Sequence, residues 1–261
     1  MKKLLLLICI GFFSLGITQE AKASHAAGGE ITYRYVGDST GIPYNYCIVL
    51  SIYRRNESGS ATLGTTASIT INSTCFSQQN VTLNRIPSLP PNHPLYSPDG
   101  GRQVANYTPC IDELNPGSTF YLISQHIYKA CVVLPGKCAD FRFSYSLCCR
   151  NANITNIQNP SSQNLYLMST LNNTRKPNTS PRFVNPAAKS FCVNTSSPFI
   201  WSQNAVEPDM DSLNFTLQQP WTNFNGPIAW AAGYTTTAPM TTRNGFNLNP
   251  KNGTFFFQPT A

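Results

Sequence analysis

The chain has 261 residues, of which only 11% are charged, and a formal net charge of +7. Its positive charges are scattered, with no cluster larger than Arg54-Arg55. That excludes the stripe of phosphate contacts a nucleic-acid binder needs. Polarity comes instead from Asn, Ser, Thr and Gln, which suits an extracellular β protein kept in solution by neutral groups.

Residues 1–23 read as an export signal. Lys2 and Lys3 precede the apolar run Leu4 to Ile17, and Ala21-Lys22-Ala23 forms an A-x-A cleavage site. The run is shorter than the roughly 20 residues of a spanning helix, and no later segment is apolar enough to cross a membrane. Without this leader the formal charge falls to +5, because it carries three of the 18 basic and one of the 11 acidic residues. Cys9 leaves with it. Eight cysteines remain: Cys47, Cys75, Cys110, Cys131, Cys138, Cys148, Cys149 and Cys192. An even set in an exported chain reads as disulfides, with the pairing left open. Zinc spacing is absent, since the chain has no C-x-x-C.

The strands follow from alternation. Ile31 to Val36 forms a first strand and residues 37–43 a turn. Tyr44 to Tyr53 is apolar on both faces and therefore predicted to be central. Thr66 to Ile71 and Asn80 to Leu83 are short strands. Residues 84–109 carry six prolines and the turn Asp99-Gly100-Gly101, which makes a long irregular loop. Cys75 and Cys110 flank it and are expected to tie it down. Ser118 to Lys129 resumes the alternation. Cys131 to Leu134 is a further strand, closed by Pro135-Gly136. Phe141, Phe143, Tyr145 and Leu147 line one face of the next strand. Leu165 to Leu171 follows. Cys148 and Cys149 are adjacent, so in an extended strand they point to opposite faces, and each is expected to hold a different neighbour. No 3.6-residue period is sustained anywhere.

Residues 174–189 are Pro-punctuated and mark a boundary, after which the character changes. All three tryptophans, Trp201, Trp221 and Trp230, lie beyond it, with one cysteine, Cys192. Phe199 to Trp201, Leu213 to Leu217, Ile228 to Ala232 and Thr254 to Phe257 are strand candidates. The fold class is all-β, with two β-sandwich modules: a disulfide-stapled Cys-rich domain over residues 24–175 and a second module over residues 176–261.

Several short stretches resemble one family. Ser24-His25-Ala26-Ala27-Gly28-Gly29-Glu30-Ile31-Thr32-Tyr33 is similar to the mature start of large secreted surface proteins of the Bacteroidetes. Those proteins are gliding-motility-associated or carry PKD, Ig-like or cadherin-like repeats. Cys148-Cys149-Arg150-Asn151-Ala152-Asn153-Ile154 looks like their CCRN-x-x-I element. Leu171-Asn172-Asn173-Thr174, Asn178-Thr179-Ser180-Pro181 and Phe183 resemble the lead into their next module. Residues 205–215 resemble the A-x-D-x-D-G-D-x-L-x-Y signature of cadherin-like modules. The resemblance implies an Ig-like or cadherin-like second sandwich and a calcium site at Glu207, Asp209 and Asp211. Two positions depart from the signature: Glu207 replaces an Asp, and Met210 replaces a Gly whose positive φ a Cβ resists. Three carboxylates alone fall short of the six to eight oxygens calcium takes. Thr254 to Ala261 resembles a strand that the family follows with others. The second module is therefore expected to be incomplete at its C-terminus and less stable than the first.

Catalytic motifs are absent: there is no H-E-x-x-H, G-x-S-x-G or P-loop. His126 falls among alternating strand residues, where it could activate a cysteine. The even cysteine set points to disulfides instead. The chain therefore reads as a non-catalytic, secreted or cell-surface protein of structural or adhesive type, meeting an extracellular protein or polysaccharide. The alternative is a carbohydrate-binding module in which Trp201, Trp221, Trp230 and Tyr234 face sugar rings. The competing role for these rings is core packing of the second module.

Overall fold

The computed structural model describes residues 26–55, 62–97, 99–104, 123–185 and 197–260. The export signal, His25, Cys110 and Cys192 lie outside these residues, as do the first positions of the strand expected from Ser118.

The all-β expectation holds. One eight-stranded sheet dominates, built from β1 (Ala26–Tyr35), β2 (Asn45–Arg55), β3 (Thr66–Asn72), β4 (Gln79–Arg85), β5 (Arg102–Gln103), β6 (Ile123–Val133), β7 (Phe141–Leu147) and β8 (Leu165–Leu171). Its order is β1-β2-β6-β4-β3-β7-β8, with β5 alongside β6, and all its strand pairs are antiparallel. β2 lies inside the sheet, flanked by β1 and β6, and is covered on both faces, Ile48, Leu50 and Ile52 being fully buried on one and Cys47, Ser51 and Tyr53 buried on the other. A single helical turn, α1 (Gly37–Thr40), links β1 to β2 and ends at Gly41 in the left-handed region. The segments expected around Lys129 and Cys131 are one strand, because β6 pairs with β2 without a break from Ile123 to Val133.

The sheet folds over on itself, so one continuous sheet supplies both walls of the core. Tyr33 of β1 lies 5.3 Å from the Phe143 ring of β7, and its hydroxyl donates to the Thr170 carbonyl of β8. Gly29 permits this closure: a Cβ there would stand 2.6 Å from Leu167 Cδ1 and 2.7 Å from the Ser51 carbonyl. Leu83, Ile69, Phe141 and Phe143 fill the interior with Tyr46 and Tyr128.

Two disulfides staple this module. Cys47–Cys131 joins directly paired positions of β2 and β6. Cys75–Cys138 ties the turn after β3 to the turn before β7, so Cys75 does not clamp the Pro-rich loop to Cys110. The third corrects the expectation for the adjacent pair: Cys148 and Cys149 bond to each other. β7 ends at Leu147, so the alternation of an extended strand does not reach the pair.

Among the described residues past 176 the chain forms three small sheets. β10 (Phe199–Ser202), β15 (Thr254–Phe257) and β14 (Asn247–Leu248) make one, in the order β10-β15-β14. β9 (Arg182–Phe183) pairs with β11 (Ala205–Val206). β12 (Trp221–Asn223) pairs with β13 (Gly226–Pro227) in a tight hairpin. Leu213 to Leu217 and Ile228 to Ala232 are not strands. Phe215 N bonds the Pro250 carbonyl as a single contact, and the segment around Trp230 pairs only through an isolated antiparallel bridge to Ile157, with no ladder to extend. This segment is sewn to the first module. Ser180 bonds both the amide and the carbonyl of Tyr33, covering the outer edge of β1. Gln158 N bonds the Ala229 carbonyl and Ala231 N the Asn156 carbonyl.

Candidate functional site

The strand parity that builds the core also drives polar groups into it. Positions 46, 48, 50 and 52 of β2 point inward, and the next on that face is Arg54. On β6 the inward positions include Ser124 and His126, and the register sets Arg54 opposite Ser124 and Ile52 opposite His126. Arg54 is 2% exposed, and Ser124 and His126 are fully buried. Unpaired, these groups would be costly. The Pro-rich loop supplies the answer in Asp99. Its Oδ2 accepts from Ser124 Oγ at 2.6 Å, His126 Nε2 at 3.1 Å and Arg54 Nη1 at 3.4 Å. Its Oδ1 accepts from Ser97 Oγ at 2.7 Å and Gly101 N at 3.1 Å. Gly101 must lack a side chain, since a Cβ would lie 2.8 Å from His126 Nε2. Burial alone would raise the Asp99 pKa. The bonds from His126, Ser124, Ser97 and Gly101 outweigh it and hold the carboxyl well below the usual range.

Ser124, His126 and Asp99 are the residue types of a hydrolytic triad, but the wiring differs. A triad sets the nucleophile on one imidazole nitrogen and the carboxylate on the other. Here Ser124 Oγ and Asp99 Oδ2 both lie at Nε2, and Ser124 gives its proton directly to Asp99. His126 Nδ1 has no partner among the described residues. The arrangement fastens the loop to the end of β6. His126 meets Ser124 and Asp99 in place of the cysteine that the sequence allowed.

The residues expected at a calcium site are each engaged elsewhere. Glu207 Oε2 accepts from Asp211 N at 2.8 Å, and Asp209 Oδ2 from Thr179 N at 2.6 Å. Asp211 Oδ1 lies 3.4 Å from Lys176 Nζ. Met210 adopts the positive φ, at 62°, that its Cβ was expected to resist, and it stands 93% exposed. The three carboxylates do not gather within ligand distance of a single ion, so this donor set does not fit a calcium cage. The group of metal-binding residue types that does gather among the described residues is Cys75, Cys138 and Asp140. Both of its sulfurs are spent in a disulfide, and Asp140 accepts from the Thr74 amide.

The aromatic candidates divide. Trp201 sits on β10 opposite Phe255. Trp230 bridges Ile157, with its Nε1 buried and unpartnered among the described residues. Tyr234 lies near Thr241. Trp221, on β12, lies beside Phe224 at 6.2 Å, and Arg142 caps that ring at 4.5 Å. All four candidates are half-buried. Trp221 borders a sizeable cavity, of about 390 Å³, between β8 and residues 218–221. Arg150, Tyr166, Met168, Gln218 and Gln219 share that cavity. None of these was singled out from the sequence as a binding residue. The outward positions of β8, Tyr166 and Met168, were readable from its alternation, but their covering by a segment some fifty residues away was not.

Comparison with protein-family models, curated proteins and solved structures finds no match for this chain.

Proposed function

We propose that this chain is an exported, non-catalytic protein that works outside the cell or on its surface by adhesion, of the gliding-motility or adhesin type. The observation that carries the reading is the disposition of its reactive residue types. Among the described residues six cysteines are paired in disulfides, two of which staple distant turns and strands, and the Ser124, His126 and Asp99 side chains lock a loop inside the core. Disulfides suit an oxidising compartment, and no helix among the described residues is long and apolar enough to cross a membrane. The test is adhesion of cells lacking the gene, and of cells producing an exported Asp99→Asn form as a folding control. Normal adhesion without the gene overturns the reading. So does turnover of ester, peptide or glycoside substrates by the purified chain that Ser124→Ala abolishes.

A second reading, carbohydrate binding, is favoured by one observation. Trp221 shares a cavity with a tyrosine, two glutamines and an arginine, the mixture of apolar face and fixed polar groups that small-ligand sites use.

A further inference from the structure

The cavity beside Trp221 is a seam. Tyr166 and Met168 stand on the face of β8 opposite the buried Leu165, Leu167 and Leu171. Residues 218–221 lie across them, fixed where Asn164 N donates to Thr222 Oγ1 at 3.0 Å and Arg150 Nη2 donates to the Trp221 carbonyl at 3.3 Å. The volume, about 390 Å³, falls within the roughly 300–1,000 Å³ usual for small-ligand sites.

The wall holds unspent polar groups. Arg150 is anchored by Nε to the Asn164 carbonyl at 3.0 Å and by Nη2 to Trp221. Its guanidinium meets no carboxylate among the described residues, although burial disfavours its charge. A half-buried cation held by two carbonyls, with N–H groups left over, is a pre-set receptor for a carboxylate. The Tyr166 hydroxyl, the Gln218 amide and the Trp221 indole N–H also lack hydrogen-bond partners among the described residues. Together these groups offer one cationic fork, several neutral donors and acceptors, and an aromatic surface.

We infer that this seam binds an acidic saccharide, a uronic-acid residue of an extracellular polysaccharide. Arg150 takes the carboxylate, Gln218 and Tyr166 take ring hydroxyls, and Trp221 supplies the apolar contact. A sugar ring presents a C–H face together with a rim of hydroxyls, which matches this wall. A polyglutamate chain would engage Arg150 but offers no C–H ring face to the indole. The formal charge of +5 left after the leader is removed favours a polyanionic chain over a neutral one.

The inference rests on the proposed extracellular binding role and deepens it. The full exported chain is titrated with polygalacturonate, a neutral galactan, dextran sulfate and polyglutamate, read by calorimetry and tryptophan fluorescence. Polygalacturonate is expected to bind at least tenfold tighter than the galactan and tighter than polyglutamate or dextran sulfate. Arg150→Gln is expected to weaken it at least tenfold. Because Arg150 also anchors the seam, Gln218→Ala and Tyr166→Phe serve as variants whose altered groups carry no internal bond. Each should weaken binding several-fold with an unchanged far-UV spectrum. Equal binding of all polyanions, unaffected by these variants, assigns the effect to net charge and overturns the site. So does failure of polygalacturonate to bind. If the variants retain polygalacturonate binding while loss of the gene abolishes adhesion, the seam is refuted and the adhesive role stands. If adhesion survives loss of the gene, the adhesive role itself fails.

Discussion

Asp99 accepts five hydrogen bonds: those from Ser124 and His126 join the Pro-rich loop to β6, that from the buried Arg54 joins it to β2, and those from Ser97 and Gly101 stay within the loop. Replacing it with Asn removes the buried charge that Arg54, His126 and Ser124 meet and should cost about 3 kcal/mol at pH 7, read by urea denaturation. The pH dependence has a definite sign. The folded pKa is depressed, so the contribution is complete above the unfolded value of about 4 and fades as pH falls toward the folded one. The gap between wild type and Asp99→Asn should therefore narrow in strong acid. Glu30 runs the other way. Burial raises its pKa against the hydrogen bond from the Tyr53 hydroxyl, so its charge opposes folding once pH exceeds the ordinary carboxylate range. Glu30→Gln should raise the melting temperature at neutral pH more than at about pH 4. At Glu207, Asp209 and Asp211 the carboxylates already serve local partners, so millimolar calcium should leave the melting temperature unchanged. A rise would show that the loop rearranges around an ion.

At the scale of elements, β7 and β8 were readable to their end residues, β7 because large apolar side chains alternate with polar ones over the full strand, and β8 because a short run rich in large apolar residues is bounded by polar loop residues. The centrality of β2 was equally plain from its two apolar faces. Pairs of two-residue strands such as β9–β11 were invisible, because their partner fixes them and no periodicity does. The polar knot was half legible. Arg54 and His126 sit at inward parity, which demands a partner, but Asp99 lay in a turn whose position no local pattern reveals. Cysteine parity announced disulfides without their pairing. Cys75–Cys138 spans 63 residues, so replacing both with Ser should cost about 4 kcal/mol by the chain-entropy argument. A loss near zero would mean that the hydrogen bonds of Asp140 to Thr74 and of Asn173 to Cys138 already fix those two turns.

The whole molecule is unequal in its burial. Among the described residues, the buried apolar side chains past residue 176 are Ile228 and Phe257, against a long continuous cluster in the first module. Ile200, Val206, Leu217, Phe224 and Phe256 stay exposed there. The later segment holds small aromatic contacts, such as Phe246 on Phe255 at 5.5 Å, and is otherwise supported by its docking on Tyr33, Asn156, Gln158 and Arg150. Such a segment should open before the sheet that carries it. The chain offers a direct probe, since all three tryptophans lie in the later segment. In a urea titration, tryptophan fluorescence should change at lower denaturant than the far-UV signal of the eight-stranded sheet, and the two curves should not superimpose. Ser180→Val removes the bonds to both the amide and the carbonyl of Tyr33 that its hydroxyl makes. It should move the fluorescence transition further down, by about 1–3 kcal/mol, and leave the far-UV transition nearly in place. Coincident curves in the wild type would show one cooperative unit, in which docking to the sheet stabilises the later segment as firmly as a core of its own.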